Sequence, residues 1–233
     1  MIPWLPCELK FPPVDTALAE PDGLLAAGGD LSPQRLMLAY SQGIFPWFSA
    51  GEPLLWWSPS ERMVLFPEAL HVTRSLDKTL RNLDYEIRVD TAFRQVMEAC
   101  AAPRDGQGGT WIVPEMVDAY CQLHELGFAH SFETWMDGEL VGGLYGVALG
   151  LMFYGESMFS RRRDASKLAF VHMARHLGQQ GVGMIDCQFH TAHLASLGAR
   201  LIPRDTFLAT LQRHVRLAPP ATLWTYRYQH EPA

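Results

Sequence analysis

The chain of 233 residues contains no uninterrupted apolar run of the roughly 18 residues that a membrane span takes. Its first residues, Met1 to Trp4, lack a basic stretch followed by an apolar core, so no secretory signal is expected. Only four cysteines occur, and none belongs to a CxxC pair. A disulfide framework or a structural zinc site is therefore not expected, and a reducing cytoplasm fits this cysteine usage.

Charged residues are also scarce, at 19% of the chain, and the basic ones are outnumbered, so that the net charge is −6. Because phosphates are bound by Lys and Arg, this balance weighs against a large nucleic-acid-binding surface. It does not weigh against a local basic patch that holds one end of an RNA. An acidic balance also suits a second partner that is cationic.

The composition divides the chain into two predicted domains, residues 1–62 and 63–233. The first is rich in Pro, Gly and Trp and contains one clear helix. Ser32 is a suitable N-cap, Pro33 a suitable first helical residue, and Gly43 a suitable C-terminal stop. We therefore expect a small, irregular N-terminal domain.

The second domain alternates between predicted strands and helices in the order β-α-α-β-β-β-α-β-α-β. Period-two alternation at 85–89 predicts a strand, and Asp137-Gly138 predicts a hairpin turn between two further strands. Apolar residues in helical spacing predict a helix over 164–177. The predicted fold class is α+β, with a mixed sheet flanked by helices, and the order resembles the GNAT N-acyltransferase fold.

A carboxylate and a run of arginines meet at the end of one predicted strand, where Glu156 is followed closely by Arg161–Arg163. Strand ends are where open α/β sheets bind ligands, although a solvated strand end and a solvated helix entry explain the same residues. No glycine occurs over 160–167, so a backbone cradle for the pyrophosphate of CoA is not expected. Arginine side chains instead suggest the phosphates of a larger partner.

A second polar group lies in the apolar segment 184–188, where Asp186 and Gln188 should point to the same face of a strand. Burying both without partners would cost about 1–3 kcal/mol each. They either bond to each other and to the core, or they line a wet site. Cys187 should face the opposite side, as a core residue rather than a nucleophile, and a pair with His190 or His193 is a minor alternative.

Aromatic and apolar residues suggest where a ligand would stack or insert. Trp47 follows Pro46 and Trp111 lies two residues after Gly109, both in predicted loops, where they can stack on nucleic-acid bases or join a core cluster with Trp56 or Trp57. One apolar set either belongs to the core or lines a cavity for a flexible apolar side chain. The set comprises Leu144, Phe153, Met158, Phe170, Met173, Leu177 and Ile185.

Taken together, several segments resemble the leucyl/phenylalanyl-tRNA–protein transferases over nearly the whole chain. They are GLLAAGGDL at 23–31, GIFPWF at 43–48, WWSP at 56–59, GTWI at 109–112, ELVGGLYGV at 139–147, GESMFSR at 155–161, ASK at 165–167, IDCQ at 185–188 and SLGA at 196–199. The resemblance implies a bacterial cytoplasmic aminoacyltransferase of the N-degron pathway. Such an enzyme adds Leu or Phe, and Met less well, to proteins that begin with Arg or Lys.

The resemblance also implies a GNAT-like C-terminal domain and specific site residues. Trp47 and Trp111 would hold the terminal adenosine of the tRNA, and the apolar set defined above would take the Leu or Phe side chain. Glu156, Asp186 and Gln188 match the catalytic and substrate positions. Basic residues near these motifs would contact tRNA phosphates, with a solvated surface as the alternative. They are Arg74, Lys78, Arg81, Arg161, Arg162 and Arg163.

The expected chemistry is simple acyl transfer, because the ester of aminoacyl-tRNA is already activated. Gln188 would hydrogen-bond the attacking amine or the carbonyl oxygen, with Asp186 orienting its amide, while Glu156 anchors an amino group or a cationic side chain. Either a side chain or a tRNA ribose hydroxyl takes the proton. No metal or organic cofactor is expected, and the chain is expected to be a monomer.

Two other functions are compatible with parts of the pattern. A CoA-dependent N-acetyltransferase would use the same fold, but the missing glycine loop counts against it. A non-catalytic module that binds RNA or a degron would have less need of the polar pair formed by Asp186 and Gln188.

Overall fold

The computed structural model describes residues 2–103 and 112–230, so Trp111 lies outside the described residues. The N-terminal segment forms a four-stranded sheet in the order β1-β2-β4-β3. Its elements are β1 (Trp4–Leu5), β2 (Leu24–Gly28), α1 (Pro33–Ser41), β3 (Phe45–Pro46) and β4 (Leu55–Trp57), with a 3-10 turn at Val14–Thr16.

The predicted N-terminal helix is confirmed. The Ser32 side chain accepts a hydrogen bond from the Arg35 N–H, and Pro33 is the first helical residue. The small sheet around this helix was not predicted. Its strands are two to five residues long, and strands this short are defined by pairing partners rather than by a local pattern.

The rest of the chain forms an eight-stranded mixed sheet in the order β11-β5-β10-β9-β8-β7-β6-β12. Its strands are β5 (Glu61–Leu65), β6 (Glu86–Val89), β7 (Ala129–Met136), β8 (Glu139–Leu149), β9 (Met152–Ser160), β10 (Met184–Gln188), β11 (Arg200–Pro203) and β12 (Arg227–Gln229). The helices are α2 (Arg74–Asn82), α3 (Phe93–Ala101), α4 (Pro114–Glu125), α5 (Ala165–Gln179), α6 (Ala192–Ser196) and α7 (Arg204–His214), with a 3-10 turn at Pro67–Ala69.

This topology confirms the predicted fold class, a mixed sheet flanked by helices. Strands β9 and β10 pair in parallel, while the other neighbours in the sheet are antiparallel. Strands β5 and β12 were not predicted. The proposed boundary between residues 62 and 63 falls inside β5, and that division of the chain stays a prediction. No helix in the two described ranges has the length and apolarity that crossing a membrane takes.

The two faces of the large sheet are covered by different helices, because successive strand residues point to opposite sides. On one face, Leu144 and Phe153 pack in a cluster with the apolar side of α5. On the other face, Tyr145 and Tyr154 pack in a cluster with α1, α3 and α4. A side chain in the middle of the sheet therefore faces either the α5 layer or the layer that contains the N-terminal helix.

Helix α5 approaches the sheet closely where β8 carries a glycine. A Cβ atom at Gly142 would lie 2.5 Å from the Cβ of Ala165 and 2.9 Å from the backbone nitrogen of Ser166. The Thr134 hydroxyl also donates a 2.8 Å hydrogen bond to the Ala165 carbonyl. The start of α5 is thus held directly against the sheet, and a side chain at residue 142 would push it away.

We therefore expect Gly142→Ala to lower the free energy of unfolding by about 1–3 kcal/mol, because the added methyl group overpacks the contact with α5. Denaturant unfolding measures this change. Gly155→Ala is the matched control, since a Cβ there meets only the Asp186 carbonyl oxygen at an ordinary 3.5 Å. Equal stability losses in the two variants would contradict the close approach.

Candidate active site

A cavity of about 300 Å³ lies where β9 and β10 separate. The last pair in their parallel ladder is Tyr154 with Asp186. Just beyond it, β9 contains a bulge, because Gly155 and Ser157 pair with consecutive residues of β8 and leave Glu156 as the extra residue. Bulges redirect a side chain and interrupt pairing, and this one turns Glu156 toward the space between the strands.

The α5 side of this cavity is apolar. Five residues of the predicted apolar set line it, namely Leu144, Met158, Phe170, Met173 and Ile185. The other two, Phe153 and Leu177, are fully buried in the core and are absent from the lining. Leu177 lies one helical turn beyond Met173, and Phe153 precedes the point where the strands separate. The wall is therefore shorter than the sequence pattern suggested.

Several residues in the wall were not predicted. Thr191, His193 and Leu194 reach it from the start of α6, which only the tertiary fold brings over the cavity. Cys187, expected in the core, is half-buried and also lines the cavity. Burial raises the pKa of the Cys187 thiol, so this side chain is a neutral, weakly polar part of the wall rather than a nucleophile.

The polar end of the cavity is a carboxyl group surrounded by three donors. Glu156 is 9% exposed, and one of its oxygens accepts hydrogen bonds of 2.8 Å from the Tyr40 hydroxyl and 2.8 Å from Gln188 Nε2. The other oxygen lies 3.3 Å from the Tyr120 hydroxyl. Tyr40 comes from α1 and Tyr120 from α4, so the N-terminal segment and the large domain complete this site together.

The protonation of Glu156 follows from this environment. Burial raises its pKa to about 8, and the Asp186 charge adds to the rise, while the hydrogen bonds from Tyr40 and Tyr120 oppose it. Burial also raises the pKa of both tyrosines well above its usual value. The Tyr40 and Tyr120 hydroxyl oxygens are themselves 2.5 Å apart.

Gln188 is held in an uncommon backbone conformation. Its φ is 60°, in the left-handed region that non-glycine residues rarely adopt, and the pairing of β10 with β5 shifts register there. The backbone N–H of Gln188 donates a 2.8 Å hydrogen bond to Asp186 Oδ1. This bond and the side-chain bond to Glu156 fix the direction of the Gln188 amide.

Asp186 is fully buried and does not line the cavity. Its carboxylate accepts two hydrogen bonds from Arg62, from Nε at 2.8 Å and from Nη2 at 2.7 Å. The Arg62 guanidinium lies between the rings of Phe45 and Phe207 and donates to the Gly43 carbonyl. Of the alternatives left open by the sequence, Asp186 therefore takes the core role, while Gln188 faces Glu156.

Trp47 lies beside the same end of β10. Its side chain is 41% exposed, and its ring contacts Trp57 and Phe189 with centroid distances of 5.4 and 5.3 Å. Phe189 directly follows Gln188, so an exposed indole stands next to the polar end of the site. Trp57 is buried and donates to the Trp47 carbonyl, as expected for a core member of the pair.

The predicted phosphate-contacting residues fall into two groups. Lys78 of α2 lines a cavity of about 590 Å³ together with Arg162 and Arg163. Arg162 is ion-paired with Asp137 at 2.7 Å, and Arg81 is ion-paired with Asp77 on the exposed side of α2. Arg74 begins the same helix. Arg161 instead lines a different cavity, which adjoins the one beside Glu156.

One cluster has the composition of a metal site, formed by Asp90, His124 and His130, whose candidate ligand atoms lie within 4.8 Å of one another. Both ring nitrogens of His130 already face acceptors, the Asp90 carboxylate at 2.7 Å and the Gly127 carbonyl at 3.2 Å. His124 Nδ1 lies 2.8 Å from the Ala129 carbonyl oxygen. These nitrogens therefore hold the start of β7, and none of the three residues lines the cavity.

Comparison with known proteins gives a consistent family assignment. Residues 64–212 match the family described as Leucyl/phenylalanyl-tRNA protein transferase, and residues 29–60 match its N-terminal domain. A leucyl/phenylalanyl-tRNA–protein transferase of Chromobacterium violaceum is 73% identical, covering 99% of each chain. One of Nitrosospira multiformis is 62% identical, covering 98% of this chain and 99% of the relative.

Similarity to solved structures is much more distant. FemX is 11% identical, covers 77% of this chain and 71% of its own, and has a TM-score of 0.47. A GCN5-related N-acetyltransferase from Kribbella flavida is 13% identical, covers 74% and 61% of the two chains, and has a TM-score of 0.39. These likenesses are too remote to bear on function.

The ion pair beneath Gln188 leads to a stability prediction. Arg62→Met should lower the free energy of unfolding by about 3–5 kcal/mol, because it leaves the Asp186 carboxylate buried without its cation. The comparison is Arg94→Met, which removes an exposed pair with Asp118 and should change stability little. Denaturant unfolding of both variants tests this, and a small loss for Arg62→Met would contradict the role of the pair.

The raised pKa of Glu156 predicts how stability depends on pH. Between about pH 4.5 and 8 the folded protein keeps a proton on Glu156 that the unfolded chain releases, so stability should fall as pH rises through this window. Glu156→Gln keeps the shape and cannot ionise, so its stability relative to wild type should grow over the same window. Glu139→Gln, at an exposed site, is the control. Parallel pH profiles for wild type and Glu156→Gln would refute the shift.

Proposed function

The chain belongs to the leucyl/phenylalanyl-tRNA–protein transferase family, and we propose that its reaction takes place in the cavity beside Glu156 and Gln188. The enzyme transfers an aminoacyl group from tRNA to a protein. The observation that supports the proposed location is an apolar cavity of about 300 Å³ whose lining includes Glu156, the carboxyl group that accepts a hydrogen bond from Gln188.

The apolar wall suits the side chain of the donor amino acid. Leu144, Phe170 and Ile185 offer branched and aromatic surface, while Met158 and Met173 offer flexible thioethers that adapt to different shapes. We therefore assign Leu and Phe as donors, with Met as a poorer one. A pocket of this kind discriminates well against polar side chains and only modestly between apolar ones.

Gln188 and Glu156 then lie where the ester and the attacking amine would meet. Gln188 Nε2 is bonded to Glu156, and in the described part of the chain no hydrogen bond involves Gln188 Oε1. That oxygen is the acceptor for an N–H of the incoming amine. Glu156 binds the cationic N-terminal residue of the acceptor, which we assign as Arg or Lys. Asp186 and Arg62 are positioning residues that hold the backbone of Gln188.

The reaction itself needs alignment more than activation. The amine nitrogen attacks the ester carbonyl carbon, a new C–N amide bond forms, and the C–O bond to the ribose breaks. The proton that the amine gives up ends on the ribose oxygen that leaves. Aligning the two reactants can lower the activation barrier by several kcal/mol, and by about 7–11 kcal/mol in well-oriented intramolecular reactions.

The remaining assignments concern the tRNA and its setting. Trp47, exposed beside Phe189, and Trp111, outside the described residues, are proposed to hold the terminal adenosine. Arg74, Lys78, Arg81, Arg162 and Arg163 are proposed to contact phosphates farther along the tRNA. We assign the enzyme to the cytoplasm, as a monomer, with a role in marking proteins for N-degron proteolysis.

A transfer assay tests this function directly. Purified protein is supplied with Leu-, Phe-, Met- or Val-tRNA and with matched acceptor proteins that begin with Arg, Lys, Ala or Glu. Leu and Phe should transfer to the Arg- and Lys-initiated acceptors, Met less, and the remaining combinations little. Equal transfer from every donor would refute the cavity as the side-chain site.

Gln188→Ala should lower the turnover number at least tenfold while leaving the affinity for charged tRNA within about twofold, because the amide acts on the amine rather than on the tRNA. Turnover is measured at saturating donor, and affinity by equilibrium binding. Gln122→Ala on the exposed side of α4 is the matched control. Turnover like that of wild type in Gln188→Ala would end the assignment.

A further inference from the structure

A second cavity, of about 580 Å³, adjoins the one that we assign to the donor amino acid. The two share Met158 and His193 in their linings, so they meet at a common wall. The second cavity lies between the end of β9 and the first turn of α5, and it is lined there by Ser160, Arg161 and Ser166. None of these three residues lines the first cavity.

The second cavity has a positive electrostatic character. None of its described lining residues is acidic, and its positive charge comes from Arg161, because burial lowers the pKa of His193 and favours the neutral imidazole. Arg161 is held in place by a 3.1 Å hydrogen bond from Nη1 to the Leu140 carbonyl and by the Phe159 ring. The positive end of the helix dipole of the 15-residue α5 points to the same place.

Ser166 gives an independent indication of a ligand. The residue lines the cavity and is only 9% exposed, and within residues 2–103 and 112–230 its hydroxyl makes no hydrogen bond. Its backbone N–H is already used, in a 3.2 Å bond to the Ser160 hydroxyl oxygen. The hydroxyl therefore keeps its capacity to donate and accept hydrogen bonds for a molecule in the cavity.

A second cavity that is cationic and carries a spare hydroxyl fits an oxyanion. Phosphate oxygens accept hydrogen bonds from arginine, from serine hydroxyls and from helix N-termini. The segment from 160 to 167 contains no glycine, so side chains rather than a backbone cradle would make these contacts.

We propose that the second cavity binds the 5′-phosphate of the terminal nucleotide of aminoacyl-tRNA, through Arg161 and the Ser166 hydroxyl. The inference rests on the proposed function, because it takes the first cavity as the site of the donor amino acid. One ribose separates the aminoacyl ester from the 5′-phosphate of the same nucleotide. Two adjoining cavities can therefore hold the amino acid and the phosphate of one nucleotide, with its ribose beside the shared residues His193 and Met158.

The test uses a non-hydrolysable donor analogue, phenylalanine joined by an amide to 3′-amino-3′-deoxyadenosine, prepared with and without a 5′-phosphate. Binding of each to the full-length protein is measured by calorimetry at fixed ionic strength. The 5′-phosphate should lower the Kd for wild type about tenfold, the effect of one charge-assisted contact.

Variants assign that gain to the cavity. Arg161→Gln and Ser166→Ala should each remove most of the effect of the 5′-phosphate and leave the Kd of the phosphate-free analogue unchanged. Arg161→Lys, which keeps the charge, should retain part of it. Arg94→Gln alters an arginine that lines neither cavity and should retain all of it. Thermal melting confirms that each variant is folded.

The outcomes separate the two proposals. If the phosphate-free analogue binds and the 5′-phosphate adds nothing, the phosphate subsite is refuted and the donor cavity stands. If the 5′-phosphate helps equally in wild type, Arg161→Gln and Ser166→Ala, the phosphate binds elsewhere and the subsite is again refuted. If neither analogue binds, the donor cavity itself is wrong and the subsite fails with it.

Discussion

The buried ion pair between Arg62 and Asp186 is the interaction on which the site depends. It joins β5 to β10 inside the sheet, and its carboxylate also accepts the backbone N–H of Gln188. Because a buried carboxylate without its cation is strongly unfavourable, this geometry is held tightly. The left-handed backbone of Gln188 is thus supported by a buried charge pair that does not line the cavity.

The separation of β9 from β10 accounts for both the cavity and the position of Glu156 at its edge. The ladder between β9 and β10 ends at Tyr154, and the bulge that follows in β9 turns Glu156 to the side where Tyr40 and Tyr120 lie. The same separation opens an apolar wall toward α5. A carboxyl group that stays protonated avoids the full cost of a buried charge, and burial raises the pKa of Glu156 accordingly.

Local patterns predicted the elements well where an element carries its own signal. Helix α1 has a cap and a proline at its start, and the hairpin between β7 and β8 has Asp137-Gly138 at its turn. Strand β5 is not predicted from the sequence, because the charged Arg62 suggests an exposed position as long as its buried partner Asp186 is unknown. Cys187 was expected in the core, since alternation alone does not reveal that β9 and β10 separate beside it.

The sequence alone determined the family, the fold class and the candidates Glu156 and Gln188, since these follow from local spacing and from motifs spread along the whole length. It did not indicate Tyr40 or Tyr120, which hydrogen-bond to Glu156. The tertiary structure decided which of those residues meet. In the folded chain Asp186 is buried, and Gln188 is hydrogen-bonded to Glu156. Phe153 and Leu177 lie outside the cavity wall, while residues at the start of α6 line it. The physical reason is that burial, hydrogen-bond partners and pKa shifts depend on neighbours distant in sequence, which no local pattern specifies.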